Sequence, residues 1–335
     1  MAWARDSLPP AIYTFLVLNT IAVALRVYVR GWMSKSFGND DYAMVVAWGG
    51  FVILCALTLV SLGHGYGDPD QKTWYNPSEA VRFFVASTIT YVIVLYIAKL
   101  SVALVLLRIA VTSKGVRIIL ICSIVALTIW TTVTTFIVAF QCIPLSLAWG
   151  EGTAGTCLSA SVLANTGYSI SAMDIASSFL YAGLPAYLLK GVQLSTRVKA
   201  SIIVLLGLGV ASSVVTIIRL KYLVDVSNLR SPTGIEAANA YLTTFVYSIT
   251  EVGLTLFTGS LAALRPLLKL VPFGQTTGKA YGTYGASSTK QSNIREDMGN
   301  AMKLQDFNDA ESQDFIVPKG CVHKTVQYEV KYSNV

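Results

Sequence analysis

Seven apolar runs, separated by short polar stretches, recur along the chain at about 10–29, 42–63, 81–107, 118–140, 163–189, 200–220 and 239–262. A helix rising about 1.5 Å per residue needs roughly 17 to 25 apolar residues to cross about 30 Å of hydrocarbon, and each run meets that length. The pattern predicts an all-α polytopic membrane bundle of seven transmembrane helices over residues 1–271. The fifth run is diluted by Ser and Gly, but small residues such as Ala176, Ser177 and Ser178 suit close helix contact in lipid. The first run is followed, not preceded, by basic residues (Arg26, Arg30), so it is expected to be a span and not a cleaved signal. From about 272 to 335 the chain turns polar and Gly/Ser/Thr-rich, which predicts a largely disordered tail. Near its end Val326, Tyr328, Val330 and Tyr332 alternate with polar residues, as in a strand added to a protein partner's sheet edge or in a transient extended segment.

Composition agrees with this pattern. The 335 residues are 54% hydrophobic and 13% charged, against roughly 25% charged in soluble domains, and the mean hydropathy is +0.59. The net charge of +7 lies mostly beside spans, where it orients a membrane chain and does not point to nucleic acid. With the N-terminus outside, inner segments hold nine Lys/Arg (Arg26, Arg30, Lys35, Arg108, Lys114, Arg117, Lys190, Arg197, Lys199). Outer segments hold six (Arg5, Lys72, Arg82, Arg219, Lys221, Arg230). The C-terminus is therefore expected in the cytoplasm, the membrane being the plasma membrane or an endomembrane.

Three ionisable side chains, Lys99, Asp174 and Glu251, fall well inside the runs. A charge in hydrocarbon costs several kcal/mol, so such groups pair, face a polar cavity or work. Counted from the outer span ends, Asp174 and Glu251 lie roughly 17 Å deep and Lys99 roughly 27 Å. The offset of about 9 Å lets Lys99 and Glu251 meet if the third and seventh helices are neighbours. The acids are read either as structural, ion-paired or hydrogen-bonded groups, or as a ligand or proton site. A second cluster is expected at the inner face, where Arg26, Arg30, Asp40, Asp41 and Arg108 end or open spans. Asp41 at a helix start would complement the dipole and bridge to Arg108 or Arg30. This is ordinary capping with topogenic arginines, or an ionic latch that a conformational change breaks.

Of the five cysteines, Cys142 and Cys157 share one outer loop. A disulfide there would close about 15 residues, contribute on the order of 3 kcal/mol, and tie a lid over the outer mouth. His64 stands where the second span emerges, as an interfacial hydrogen-bonder or a ligand contact. With His64 and His323 the only histidines, no His-rich metal site is expected, and no cofactor. The seventh run has no lysine for a retinal Schiff base, and no P-loop or GxSxG element is present.

An ordered series of residues resembles the fungal rhodopsin-domain integral membrane proteins, which include Pth-type receptors and satratoxin-cluster-type membrane proteins. It runs through Arg26 to Arg30, Phe37-Gly38 with Asp40-Asp41, Gly63-His64-Gly65, Lys99-Leu100-Ser101, Arg108, Cys142, Pro144, Trp149 and Cys157. It continues through Asn165, Pro185, Val192-Gln193-Leu194, Lys199, Arg219, Glu251 and Leu264-Arg265-Pro266-Leu267. The resemblance implies seven spans and a fungal source, with a host-sensing or secondary-metabolite setting in some members, and it implies no retinal. It favours Lys99 and Glu251 over Asp174 as the shared pair.

Three readings follow. The first is a non-enzymatic, receptor-like protein in which a small apolar ligand reaches the Lys99/Glu251 region and shifts the inner cluster. The others are a membrane enzyme of secondary metabolism with Glu251 or Asp174 as catalytic acid, and a proton-coupled metabolite exporter.

Overall fold

In the computed structural model, which describes residues 3–70, 72–110, 113–151, 154–188, 196–227 and 234–264, each apolar run corresponds to one helix. The helices are α1 (Trp3–Tyr28, continued by a π-helical segment Val29–Met33), α2 (Asn39–Gly63), α3 (Pro77–Ile109), α4 (Lys114–Ala139), α5 (Ala160–Leu188), α6 (Thr196–Ser227) and α7 (Gly234–Ala263). Local chemistry sets several ends. The Gly38 N–H donates to the Asp41 carboxylate at 3.0 Å, and Asp40 and Asp41 complement the positive end of α2. Pro77 opens α3, where a backbone donor is dispensable, behind an Asn76 cap. Within the helices, Thr14, Thr20, Thr58 and Thr128 each donate to the carbonyl four residues back at 2.6 to 2.8 Å. Their hydroxyls therefore need no water.

Six of the seven helices are long and apolar enough to cross a membrane. Among the described residues the exception is α5, which is interrupted by Ser, Asn and Gly residues. Large apolar side chains such as Val17, Ile21, Ile118, Ile129 and Ile203 face outward, each about 60% exposed or more, while Arg26, Asp41, Lys99, Asp174 and Glu251 are buried. This arrangement suits a lipid surround, where the helix surface needs no polar coat.

Successive helices pack side by side, α1 closes against α7, and α3 packs across the ring onto both α5 and α7. One apolar core, with Leu8, Met44, Phe51, Tyr91, Leu95 and Ile249 among its members, joins α1, α2, α3 and α7. A smaller one, including Leu106, Leu120, Leu127 and Tyr181, joins α3, α4 and α5.

The α4–α5 connection adds a small β element to the all-α expectation. β1 (Cys142–Ile143) pairs antiparallel with β2 (Thr156–Cys157), and Cys142 and Cys157 form a disulfide. The loop between them includes a short 3-10 turn, Leu145–Trp149. Gly155, with φ +151°, lets the chain turn back, because a side chain there would collide with the Ile143 carbonyl and the Leu147 side chain. The bundle end that carries this loop is termed the disulfide end. The opposite end, with the α1–α2 and α3–α4 connections, is the Arg/Asp end.

Two boundary differences matter. α1 begins at Trp3 and carries Pro9 and Pro10 inside it. α6 runs to Ser227 and not to 220, so Arg219, counted with the outer segment although it falls in the 200–220 run, lies well inside the helix. The expected tail at 272–335 lies outside the described residues.

At the disulfide end Arg5 pairs with Asp68 and donates to the Leu62 carbonyl and the Tyr75 hydroxyl, each at 3.3 Å, which ties the start of α1 to the α2–α3 loop. The Tyr75 hydroxyl, donating at 2.8 Å, holds the Asp68 carboxyl below the usual carboxylate range. The Asp70 N–H and Arg5 reinforce the effect against a partial desolvation that works the other way. A carboxyl depressed in the folded state stabilises above its ordinary value of about 3.9 and loses that contribution as pH falls through the folded value. Asp68→Asn is expected to lower the melting temperature at pH 7 and to flatten its acid limb, measured by thermal melts across pH. For the loop, Cys142→Ser with Cys157→Ser is expected to cost up to about 3 kcal/mol. Free thiols at both positions in a nonreducing peptide map would rule the bond out.

Candidate functional site

Four helices deliver one charged side chain each to the middle of the bundle. Lys99 comes from α3, Asp174 from α5, Arg219 from α6 and Glu251 from α7, and they are 5%, 3%, 7% and 0% exposed. Helical spacing explains the supporting residues: Ser171, Asp174, Ser177 and Ser178 share one side of α5, and Ser212, Thr216 and Arg219 share one side of α6. α5 gives up apolarity to supply these contacts.

Lys99 pairs with the Asp174 carboxylate through Oδ1. Its Nζ also donates to the Asp174 carbonyl at 2.7 Å, to Ser177 Oγ at 2.7 Å and to Ser178 Oγ at 3.0 Å, so the ammonium is saturated. Glu251 accepts from the Tyr91 hydroxyl at 2.9 Å and lies 2.9 Å from Thr216 Oγ1, which is also 3.2 Å from Asp174 Oδ2. Thr216 therefore bridges the two acids. Arg219 approaches Glu251 at 3.7 Å, stacks over the Tyr91 ring at 4.9 Å and donates a long 3.4 Å bond to Ser171. Two cations and two anions sum to no net charge, the condition under which such a group tolerates burial.

The expected Lys99 to Glu251 contact is thus corrected: Asp174 is the partner of Lys99. An expectation with Arg219 outside the membrane leaves one cation for two acids. With Arg219 buried inside the bundle, it takes Glu251 and leaves Lys99 to Asp174. Arg219 is a functional candidate that sequence reasoning misplaced, and the polar stripe Ser212, Thr216, Arg219 on α6 was the available signal.

Between this network and the disulfide end lies a cavity of about 440 Å³, inside the roughly 300–1,000 Å³ range of small-molecule sites. Cys142, Leu147, Ala148 and Cys157 line it from the loop, Phe84 and Phe245 from the helices, and Tyr91 and Arg219 at the network. Neither carboxylate lines it. Tyr66 stacks on Phe84 at 4.2 Å and, with Val81 and Tyr241, also lines an adjoining vestibule. His64 lines that vestibule and stacks on Phe83 at 5.6 Å, away from the buried acids. A second, smaller cavity of about 100 Å³ is lined by Lys99, Ser178 and Gly259.

At the Arg/Asp end, Arg26 and Arg30, one turn apart, reach the first turn of α2. Arg26 binds Asp41 at 2.7 Å and Asp40 at 3.0 Å, and Arg30 lies 3.2 Å from Asp40 and 3.5 Å from Asp41. Arg108 stands 3.6 Å from Asp40 and donates to the Ser36 carbonyl at 3.0 Å, so its acidic neighbour is Asp40 and not Asp41. Arg26 Nη1 also donates to the Gly259 carbonyl of α7 at 2.8 Å. At Gly259 a Cβ would lie 2.5 Å from Met44 Cε and 3.0 Å from Val102 Cγ2, and glycine permits the close packing of α7 there.

The fungal rhodopsin domain model matches residues 25–270. A protein of Metarhizium anisopliae, described as polyenoic acids biosynthesis gene cluster protein Ba17b, is 24% identical over 282 residues, which cover 78% of this chain and 73% of that protein. No solved structure gives a significant match.

Removing one member of a buried pair typically costs about 3–5 kcal/mol because its partner is left uncompensated. Lys99→Met combined with Asp174→Asn is therefore expected to cost well under the sum of the single changes in melts of the purified protein. Its coupling should exceed that of Lys99→Met with Glu251→Gln. Equal couplings would argue against the direct pair.

Proposed function

Because the chain belongs to the fungal rhodopsin domain family, we propose that this multi-pass membrane protein is receptor-like: a small, largely apolar ligand occupies the 440 Å³ cavity and shifts the Arg/Asp cluster. One observation carries the reading. α7 contributes Glu251 to the network beside the cavity and, eight residues on, the Gly259 carbonyl that Arg26 holds. A displacement of α7 at one site is felt at the other, about 12 Å along the same rigid element. The ligand would drive it only through unequal affinity for the two arrangements.

In this proposal all seven helices span. The Lys/Arg distribution puts the disulfide end outside and the Arg/Asp end in the cytoplasm, with the tail at 272–335 available there to a protein partner. His64 then sits at the entry vestibule. Arg26, Arg30, Asp40, Asp41 and Arg108 act as the latch, and the context of the Metarhizium relative supports service to a secondary-metabolite pathway. Acid catalysis by Glu251 or Asp174 is less well supported, since neither lines the 440 Å³ cavity. The second cavity, reaching Lys99 from the other side, favours export as the alternative reading, with the network as the barrier between two vestibules.

Hydrogen exchange of the full-length protein in nanodiscs tests the reading, with dodecanol as a neutral apolar probe. Probe binding should change exchange across residues 34–41 at least twofold, and Val85→Trp, which fills the cavity, should abolish both binding and response. Binding with no change at the Arg/Asp end would remove the receptor-like coupling, and absence of binding would remove the cavity as a ligand site.

A further inference from the structure

Every charged group of the buried network except Arg219 is turned to another network member or to the smaller cavities. Among the described residues lining the 440 Å³ cavity, Arg219 alone carries a charge. The rest of the lining is aromatic, aliphatic or hydroxyl and amide, as at Phe84, Phe245, Thr88, Ser248 and Gln141.

Arg219 is also the least satisfied cation of the network. A guanidinium offers five N–H donors in a planar fork. Here Nη1 makes one long bond to Ser171 at 3.4 Å and a 3.7 Å approach to Glu251, while Nε is buried with no hydrogen-bond partner. A buried donor left unpaired is costly, more so on a charged group. Lys99, by contrast, has its donors filled. A positive charge with spare donors, set in an apolar chamber, is complementary to one ligand shape: a hydrocarbon body with a single anionic head.

We infer that the cavity takes a carboxylate-headed amphiphile, its carboxylate on Arg219 and its hydrocarbon body among Phe84, Phe245 and the disulfide loop. The inference rests on the cavity being a ligand site and adds the ligand's class. Arg219 holds the head as a fork and not as a point charge, so lysine is a poor substitute. Because Arg219 shares Glu251 with the network, an incoming carboxylate competes with Glu251 for the guanidinium. Ligand arrival is thereby conveyed to α7. Tyr91, stacked beneath Arg219 and bonded to Glu251, positions both groups.

The test uses full-length protein in phosphatidylcholine nanodiscs at pH 8, with binding of labelled dodecanoic acid, dodecanol and dodecylamine measured against empty nanodiscs. Dodecanoate is expected to bind at least tenfold more tightly than dodecanol, as for a charge-assisted hydrogen bond gained in a buried site, and dodecylamine more weakly than either. Arg219→Gln should remove the preference for the acid over the alcohol, and Arg219→Lys should restore it only in part. Should Arg219→Gln fail to fold, the order of the three probes on the unmodified protein still decides. Equal binding of acid and alcohol, or preference for the amine, would overturn the inference and leave the cavity as a neutral ligand site. Binding of none of the three would remove the cavity reading itself. Loss of dodecanoate binding on adding phosphatidylglycerol to the nanodiscs would assign Arg219 to a membrane phospholipid and also overturn the inference.

Discussion

A charge inside a low-dielectric bundle must find its opposite, and this constraint organises the structure. Lys99, Asp174, Arg219 and Glu251 come from four different helices and are all buried, so α3, α5, α6 and α7 meet where the four charges neutralise one another. The Arg/Asp cluster repeats the principle for α1 and α2 and recruits α7 through Gly259. Apolar packing holds neighbouring helices side by side without fixing which faces meet. The ion pairs fix the rotation of each helix, because a turned helix would strand a charge in hydrocarbon.

The distribution of satisfaction within the network is uneven, and the unevenness is what separates structure from function. Lys99 and Asp174 form a closed unit braced by Ser177 and Ser178, suited to a fixed strut. Arg219 and Glu251 form a looser one, at 3.7 Å and beside the large cavity. A loose pair with an unpaired donor is the part of a buried network that another anion disturbs most readily. Placing it on α6 and α7, the latter also gripped by Arg26, joins the site to the far end of the bundle by a rigid element.

Much of the fold was legible because the bilayer leaves one strong signal, the length of apolar runs. Helix ends were less so. α6 continues for seven residues beyond its apolar run, to Ser227, so Arg219 lies inside the helix and not at its outer end. The adjacent cations Arg219 and Lys221 read alike in sequence, yet one is buried and the other exposed. Only the phase of the helix distinguishes them, and the Ser212, Thr216, Arg219 stripe encodes that phase weakly. The departure of α5 from the apolar norm carried information too, since its serines serve the network.

The sequence by itself determined seven helices, the burial of Lys99, Asp174 and Glu251, the composition of the Arg/Asp cluster and the proximity of Cys142 to Cys157, because each follows from local spacing or from the cost of charge in hydrocarbon. Only the tertiary structure decided the partners. Lys99 chose Asp174 and Glu251 received Arg219 because pairing depends on which helices are neighbours and how each is rotated, and no local pattern contains that information. The cavity that leaves Arg219 facing open space exists for the same reason: it is bounded by residues from five helices and two loops that meet only in the folded bundle.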